Sequence, residues 1–386
     1  MEARPLKADP AADINVITDQ HSGHGDTKST EKSTNTFWHF LNSSHNLIFV
    51  FAAIAAVIVC ATFSSGCKKK TNVKDNSLIE TRMKMGTIVT LTLYGGDDST
   101  RRSAADAAFA EIDRVNAIFS DYDRNSEVSK LNRNPARRVV VSTELGNILH
   151  QSLDLCRTTD GAFDVTVRPL VVLWRKARET GKAPPDSEIQ DAMKRTGCEK
   201  LTLDMKHKAL LRGAGGMELD FGGNAKGYAA NRAAAAIKRH GIDAALINAG
   251  GDITALGEKP GGKPWVMGIQ NPRNPDDYVA RIYLIDEAVT TSGDYEKYFQ
   301  KNGKRESHIV DPRTGHGASE TISVTVIAPD AMLADGLSTA LSVLGPDDGI
   351  KLIEEKYPQA QALIITPDRQ LHYSGDFKKY LSPGLR

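Results

Sequence analysis

One stretch constrains the architecture of this chain more than any other: Met217 to Gly241, MELDFGGNAKGYAANRAAAAIKRHG. Gly222 and Gly223 can take backbone angles closed to other residues and let a ligand approach the chain closely. From Ala225 the run is rich in alanine, the strongest helix former, and it ends in Lys238, Arg239, His240 and Gly241, which suit a helix C-terminus. Free amides at the helix start, together with the Lys226 charge, favour an anion such as phosphate. Spacing alone leaves a structural glycine turn equally open, and Asp220 is either a ligand or a hydrogen-bond acceptor for the turn that follows it.

The segments around this stretch alternate between strand and helix periods. MGTIVTLTLYG predicts a first strand, stopped by Gly95 and Gly96, and Ser103 to Phe119 predicts a helix through Ala107, Ala108, Ile112, Val115 and Phe119. RRVVVS is a short strand, followed by a helix through Leu145, Ile148, Leu149, Leu153 and Cys156. PPDSEIQDAMKRTG predicts a capped surface helix closed by Gly197, whereas Thr159 to Trp174 mixes a turn, a short strand and Pro169 and reads as mostly structural. Ala244–Asn248, Trp265–Ile269, Val279–Ile285 and Thr321–Ala328 predict strands, the last with Ile322, Val324, Val326 and Ala328 on one face. PDAMLADGLSTALSVLG predicts a helix beginning at Pro329 and Asp330 and ending at Gly345. Without regular one-to-one alternation, this pattern favours an α+β fold of mixed sheets and packed helices over a doubly wound sheet.

The N-terminal region differs in kind. Residues 1–46 are polar and read as a disordered tail, and residues 47–67 hold the uncharged run LIFVFAAIAAVIVCATF (Leu47 to Phe63) followed by SSGC. Three outcomes compete: an export signal with lipidation at Cys67, an uncleaved membrane anchor, and a buried core helix. Lys68, Lys69 and Lys70 follow the run, which by the positive-inside tendency alone would keep the remainder cytoplasmic; the alternative is that they begin a polar tether of residues 68–83. The remainder, 84–386, is the expected folded domain. With 49 Lys and Arg against 48 Asp and Glu, the formal charge of +1 gives no field that invites nucleic acid. The four cysteines, Cys60, Cys67, Cys156 and Cys198, form no close pair, so neither a disulfide scaffold nor a zinc site is expected.

Several loops repeat the phosphate-binding theme. LINAGGD ends a strand in a glycine turn beside Asp252, AVTTSGDY sets hydroxyls near Gly293, and HIVDPRTG offers His308, each with a tight-turn reading beside it. In AMLADGLSTA, Asp335 and Thr339 are four apart and share a helical face, where a carboxylate and a hydroxyl can both offer hard oxygens to Mg²⁺. The plainer alternative has Asp335 packing on a turn and Thr339 bonding back to its helix. Tyr122, in a polar loop, is placed to stack on a flat ring system or to cover the end of the core.

In order from Met85 to the C-terminus, MGT, SDYDRNSEVSKLN, DGAFDVTVRPLVVLW, LDFGGNAKGYA, INAGGDI, TSGDY, HIVDPRTG and AMLADGLSTA make the chain resemble the FAD:protein FMN transferases, the ApbE proteins once regarded as thiamine-biosynthesis lipoproteins. The resemblance implies Mg²⁺ held by the side chains of Asp335 and Thr339 and the backbone carbonyl of Ala225. It implies Tyr122 beside the flavin ring, Met85 near the bound FAD, and Lys226, Asp252, Thr290, Ser292 and Gly293 in segments that contact FAD. His308 matches a histidine near the transfer chemistry. The implied partner is a threonine-containing flavoprotein of a membrane redox complex or an exported electron carrier. The implied location is the bacterial inner membrane with the catalytic domain facing the periplasm. Departures from the family pattern are Asn224 for an aliphatic residue, Val165 for proline, Arg175 for glycine and Gly336 for alanine, the last expected to weaken its helix. Other readings are a hydrolase giving FMN and AMP and a lipoprotein that only holds FAD; an NAD-type oxidoreductase fits poorly because GxGxxG is missing after a first strand.

Overall fold

The computed structural model describes residues 76–294, 298–301 and 304–382. The apolar run Leu47–Phe63, Cys67 and the polar tail lie outside the described residues. The fold opens on a hairpin, β1 (Leu78–Lys84) and β2 (Thr87–Tyr94), turning at Met85 and Gly86 with φ of 50° and 73°. The folded part therefore begins ahead of the Lys84 boundary read from the sequence. Residues 78–83 pair along an edge instead of forming the last part of a tether, and their apolar residues do not alternate because one face stays open to solvent.

α1 (Asp98–Phe119), α2 (Glu127–Arg133) and α3 (Thr143–Thr158) each start on a side chain that accepts a backbone N–H: Asp97, Ser126 and Ser142. β3 (Arg138–Val140) lies between α2 and α3. Thr159–Trp174 corrects the sequence reading. Asp164 caps a single 3₁₀ turn, and Pro169 sits in the first turn of α4 (Arg168–Thr180), where a missing N–H is harmless; no strand forms there. α5 (Asp186–Lys194) follows, but Pro185 stands at its cap and supplies no side-chain hydrogen bond. β4 (Leu201–Asp204) and β5 (Ala209–Arg212) complete a small sheet in the order β3-β5-β4.

α6 (Ala225–Arg239) realises the alanine-rich run. Next come β6 (Ala244–Ala249), β7 (Asp252–Leu256), the hairpin β8 (Trp265–Asn271) and β9 (Asn274–Leu284), and β10 (Ala288–Gly293). β11 (Tyr298–Lys301) and β12 (Lys304–Ser307) form a separate hairpin, and β13 (Ser323–Ala328) leads into α7 (Ala331–Lys356). Asp330 caps α7, and Gly345, at φ 79°, breaks it before Pro346 restarts the helix, so the expected end is a kink. β14 (Gln361–Ile365) and β15 (Leu371–Tyr373) close the main sheet, whose eight strands run β1-β2-β6-β7-β10-β13-β14-β15 with every neighbour antiparallel.

Period-two alternation puts two cores on the two faces of this sheet. Ala245, Ile247, Ala288, Val324, Val326, Ala362 and Ile364 join the helix-side core, while Leu246, Ile253, Val289, Ile327, Leu363 and Ile365 pack with Trp265, Met267 and Ile282 of the β8–β9 hairpin. Ile322, expected on the face of Val324, falls on the hairpin side because the strand begins only at Ser323. A third cluster joins Leu170, Trp174 and Ala177 of α4 to Ile189 of α5.

The cysteines correct a second expectation. Cys156, in the last turn of α3, and Cys198, after α5, form a disulfide across 42 residues with their Cα atoms 6.6 Å apart. No local pattern announces it, because the pair meets only when α3 and α5 are both in place.

Candidate active site

The Asp220–Asn224 loop is tied at both ends by backbone bonds. Asp220 N donates to Val165 O at 2.7 Å, Gly222 N to Asp220 Oδ1 at 2.7 Å and Ala225 N to Phe221 O at 2.8 Å. Asp220 does serve the turn after it, as the plainer reading had it. Burial, and then the neighbouring Asp121 charge, pushes its carboxyl pKa above the ordinary value of 3.8. Asn224 is buried; its Nδ2 donates to Ser152 Oγ at 2.8 Å while Oδ1 has no partner.

Immediately after this loop, α6 meets the head of α7. A Cβ at Gly227 would overlap the backbone carbonyl oxygen of Ala331, so the two helices reach this distance only with glycine there. Gly227 N donates to Asp335 Oδ2 at 3.1 Å; Asn231 donates to Asp330 Oδ2 at 2.7 Å and accepts from Ala331 N at 3.0 Å. Asp335 is 3% exposed, and Thr339 lies one turn further along the same face, with an ideal Cβ on Gly223 falling 2.9 Å from its Oγ1. A Cβ at Gly336 would stand 2.5 Å from a Leu155 methyl, a contact that a shift of that side-chain end relieves.

Three further segments converge on this crossing. Lys226 forms an ion pair with the buried Asp252 at the start of β7. The glycine turn before Asp252 rests on the β1–β2 hairpin, where Gly250 N donates to Ile88 O at 3.1 Å and a Cβ on Gly250 would overlap the Thr87 hydroxyl; Met85, two residues before Thr87, is half-buried in that turn. From the other side, Ser292 and Ser338 share a hydrogen bond of 2.8 Å between β10 and α7. Thr290, two residues earlier on the same strand face, is buried with its hydroxyl lacking a partner, and Gly293 is buried at the strand end. His308 is half-buried in the bend after β12.

The rim is built differently. Tyr122, 72% exposed, stands in the loop between α1 and α2, and the Arg175 guanidinium lies 4.6 Å from its ring centroid. Asp121 Oδ2 accepts from Arg175 Nη2 at 2.8 Å and from Arg168 Nη1 at 2.7 Å, and Arg168 Nε continues to Glu218 at 2.9 Å. Arg168 and Arg175 are seven residues apart on α4 and so share a face. Sequence reading missed Asp121 and Arg168; the one available signal was Arg175 itself, an unexpected residue directly after the Thr159–Trp174 segment read as mostly structural.

Asp335 and Thr339, with a backbone carbonyl at Ala225, present only oxygen donors, the set that suits Mg²⁺. The unpartnered hydroxyl of Thr290 adds an oxygen facing the same helix, so the residues fit such an ion. A second group, Cys156, Asp164 and Cys198, brings its sulfur and oxygen atoms within 4.8 Å. It does not suit a cation as it stands, because both sulfurs are in the disulfide and Asp164 already accepts from Thr166 N, Thr166 Oγ1 and Cys198 N. Burial pushes the Asp164 carboxyl pKa up, further weakening any such role.

The model of the ApbE family matches residues 85–364. The FAD:protein FMN transferase of Haemophilus influenzae is 33% identical over 332 residues, covering 83% of this chain and 94% of that protein. That of Escherichia coli K12 is 31% identical over 344 residues, covering 86% and 95%. The crystal structure of the ApbE protein of Thermotoga maritima aligns with a TM-score of 0.74 at 35% identity, over 79% of this chain and 99% of that one. The flavin transferase ApbE of Vibrio cholerae aligns with a TM-score of 0.69 at 30% identity, over 79% and 99%.

Proposed function

The chain belongs to the ApbE family, and on that premise we propose that it is an FAD:protein FMN transferase that moves the FMN moiety of FAD onto a threonine hydroxyl of a target flavoprotein and releases AMP. The observation that carries this reading is the Gly227 crossing, where a glycine loop, a helix N-terminus, Lys226, the buried carboxylate of Asp335 and the half-buried hydroxyl of Thr339 converge. A diphosphate needs that combination: backbone approach without side chains, donors aimed at oxygens, and a hard cation site.

Asp335, Thr339 and the Ala225 carbonyl would hold Mg²⁺, which when bound supplies positive charge to the pyrophosphate oxygens. The Gly222–Gly223 backbone lets the diphosphate approach the chain closely, and Lys226, steadied by Asp252, contributes a fixed charge beside it. The acceptor hydroxyl oxygen forms the new bond to the FMN-side phosphorus as the bond from that phosphorus to the AMP oxygen breaks. The hydroxyl proton passes to a base, for which His308 is the candidate imidazole and an acid close to the metal the alternative. Tyr122 offers its exposed ring to the isoalloxazine, and Met85, Thr290, Ser292 and Gly293 line the approach from the strand side.

We further infer that the domain works outside the cytoplasm, held at the membrane through Cys67 lipidation or the Leu47–Phe63 segment. The Cys156–Cys198 disulfide supports an oxidising compartment independently of that segment. Among the described residues no helix is long and apolar enough to cross a membrane.

The test is to incubate the full-length chain with FAD, Mg²⁺ and a threonine-containing flavoprotein fragment, reading AMP release and the fragment's intact mass. A gain of one FMN with equal AMP supports transfer. AMP without the gain favours hydrolysis, and tight FAD binding with neither product favours a carrier.

A further inference from the structure

We propose that Arg175 is a positioning residue that clamps Tyr122 in the orientation needed to stack on a flat aromatic ligand; this rests on the reading of the site as one that binds FAD. Tyr122 projects from a loop with most of its ring in solvent, so an unrestrained side chain would lose rotamer freedom when a ligand stacks on it. Arg175 removes that freedom beforehand. Its guanidinium covers one ring face at 4.6 Å, within cation–π range, and leaves the opposite face for the ligand.

The guanidinium is itself held in place. Asp121, next to Tyr122 in the chain, accepts from Arg175 at 2.8 Å and from Arg168 at 2.7 Å, and Glu218 holds Arg168 at 2.9 Å. A continuous line of charge-assisted bonds thus runs from Glu218, just ahead of the glycine loop, to the ring of Tyr122. Arg175 Nε is buried without a hydrogen-bond partner, so this orientation is kept although it leaves one donor unsatisfied. A side chain free to choose its own best hydrogen bonds would not settle there; the ring contact and the Asp121 pair together hold it.

The clamp acts through Tyr122, and this separates it from a cation that touches FAD directly. FAD dissociation constants would be measured by flavin fluorescence for the full-length wild type, Arg175→Ala, Tyr122→Ala and the double variant, with turnover at saturating FAD measured alongside. Arg175→Ala should weaken FAD binding about threefold to fivefold, the size of one exposed cation–π contact, with turnover at saturation unchanged. In the Tyr122→Ala background the same change should have no effect, and Arg175→Lys should recover only part of the affinity because it keeps the charge without the planar stack. An equal loss in both backgrounds, or no loss in the wild type, would overturn the clamp while leaving FAD binding standing. Failure of the wild type to bind FAD at all would overturn both this inference and the reading of the site.

Discussion

The crossing of α6 and α7 and the rim at Tyr122 face the same proposed substrate but are built by opposite means. At the crossing, side chains are missing where they would obstruct: Gly223 and Gly227 let backbone and short oxygen ligands come together, and Asp335 is buried on a backbone N–H. At the rim, long side chains are added, with Arg168 and Arg175 reaching from α4 to a loop acid and an exposed ring. The difference teaches that the part expected to bear the chemistry is rigid through close backbone packing, whereas the part expected to grip the ring is held through side-chain charge and can change with little effect on the fold.

Four measurements would break or sharpen that contrast. Asp335→Asn keeps an acceptor for Gly227 N but removes the charge, so Mg²⁺-dependent turnover should fall at least about 100-fold, corresponding to several kcal/mol of lost charge stabilisation, while the thermal midpoint stays near wild type. Unchanged turnover would remove the metal assignment and with it the functional half of the comparison.

Cys156→Ser and Cys198→Ser test whether the two regions share a floor. The segment between them and the site carries Phe163, whose ring would lie 3.3 Å from a Cβ on Gly223, then Asp164, which holds Cys198 N, then Arg168 of the rim. Losing a link across 42 residues should cost up to about 4 kcal/mol in the chain-entropy account. Urea titration with and without a dithiol reductant reads it; equal stability in both conditions would show that packing alone fixes the segment.

Gly227→Ala forces a methyl against the Ala331 carbonyl and should cost about 3 kcal/mol, visible as a lower urea midpoint. A rim change such as Tyr122→Ala, at an exposed position, should leave that midpoint almost unmoved. If the two substitutions destabilise alike, the contrast between rigid crossing and adjustable rim is wrong.

The smallest effect concerns Asp220, between the two regions. Burial and Asp121 raise its folded pKa above 3.8, so the fold favours its neutral form. The stability it contributes is present below pH 3.8 and is lost as pH rises through the folded value. Asp220→Asn should therefore flatten the fall of the thermal midpoint across that window in ligand-free protein; parallel curves for variant and wild type would place the strain elsewhere.

Much of the crossing was legible in advance. The i, i+4 spacing of Asp335 and Thr339, the Gly222–Gly223 pair and the alanine-rich helix are local patterns, and local periodicity survives into the fold wherever one face is buried. The segment Thr159–Trp174 was not legible, because Val165–Val167 has strand-like composition and only Asp164, by capping Thr166 N and holding Cys198 N, turns it into a 3₁₀ turn. β1 escaped for the opposite reason: as an edge strand it buries too little to impose alternation on its sequence.

By itself, then, the sequence determined the alanine-rich helix that ends near Gly241, the helix that starts at Asp330, and several of the core strands. All of these depend on neighbours within a turn or two of the chain. Only the tertiary structure decided that Gly227 would meet Asp335, that Cys156 would find Cys198, and that Arg175 would cover Tyr122. Those contacts join residues from 42 to 108 positions apart, and no local propensity can select one distant partner until burial of the shared core has brought the elements that carry them together.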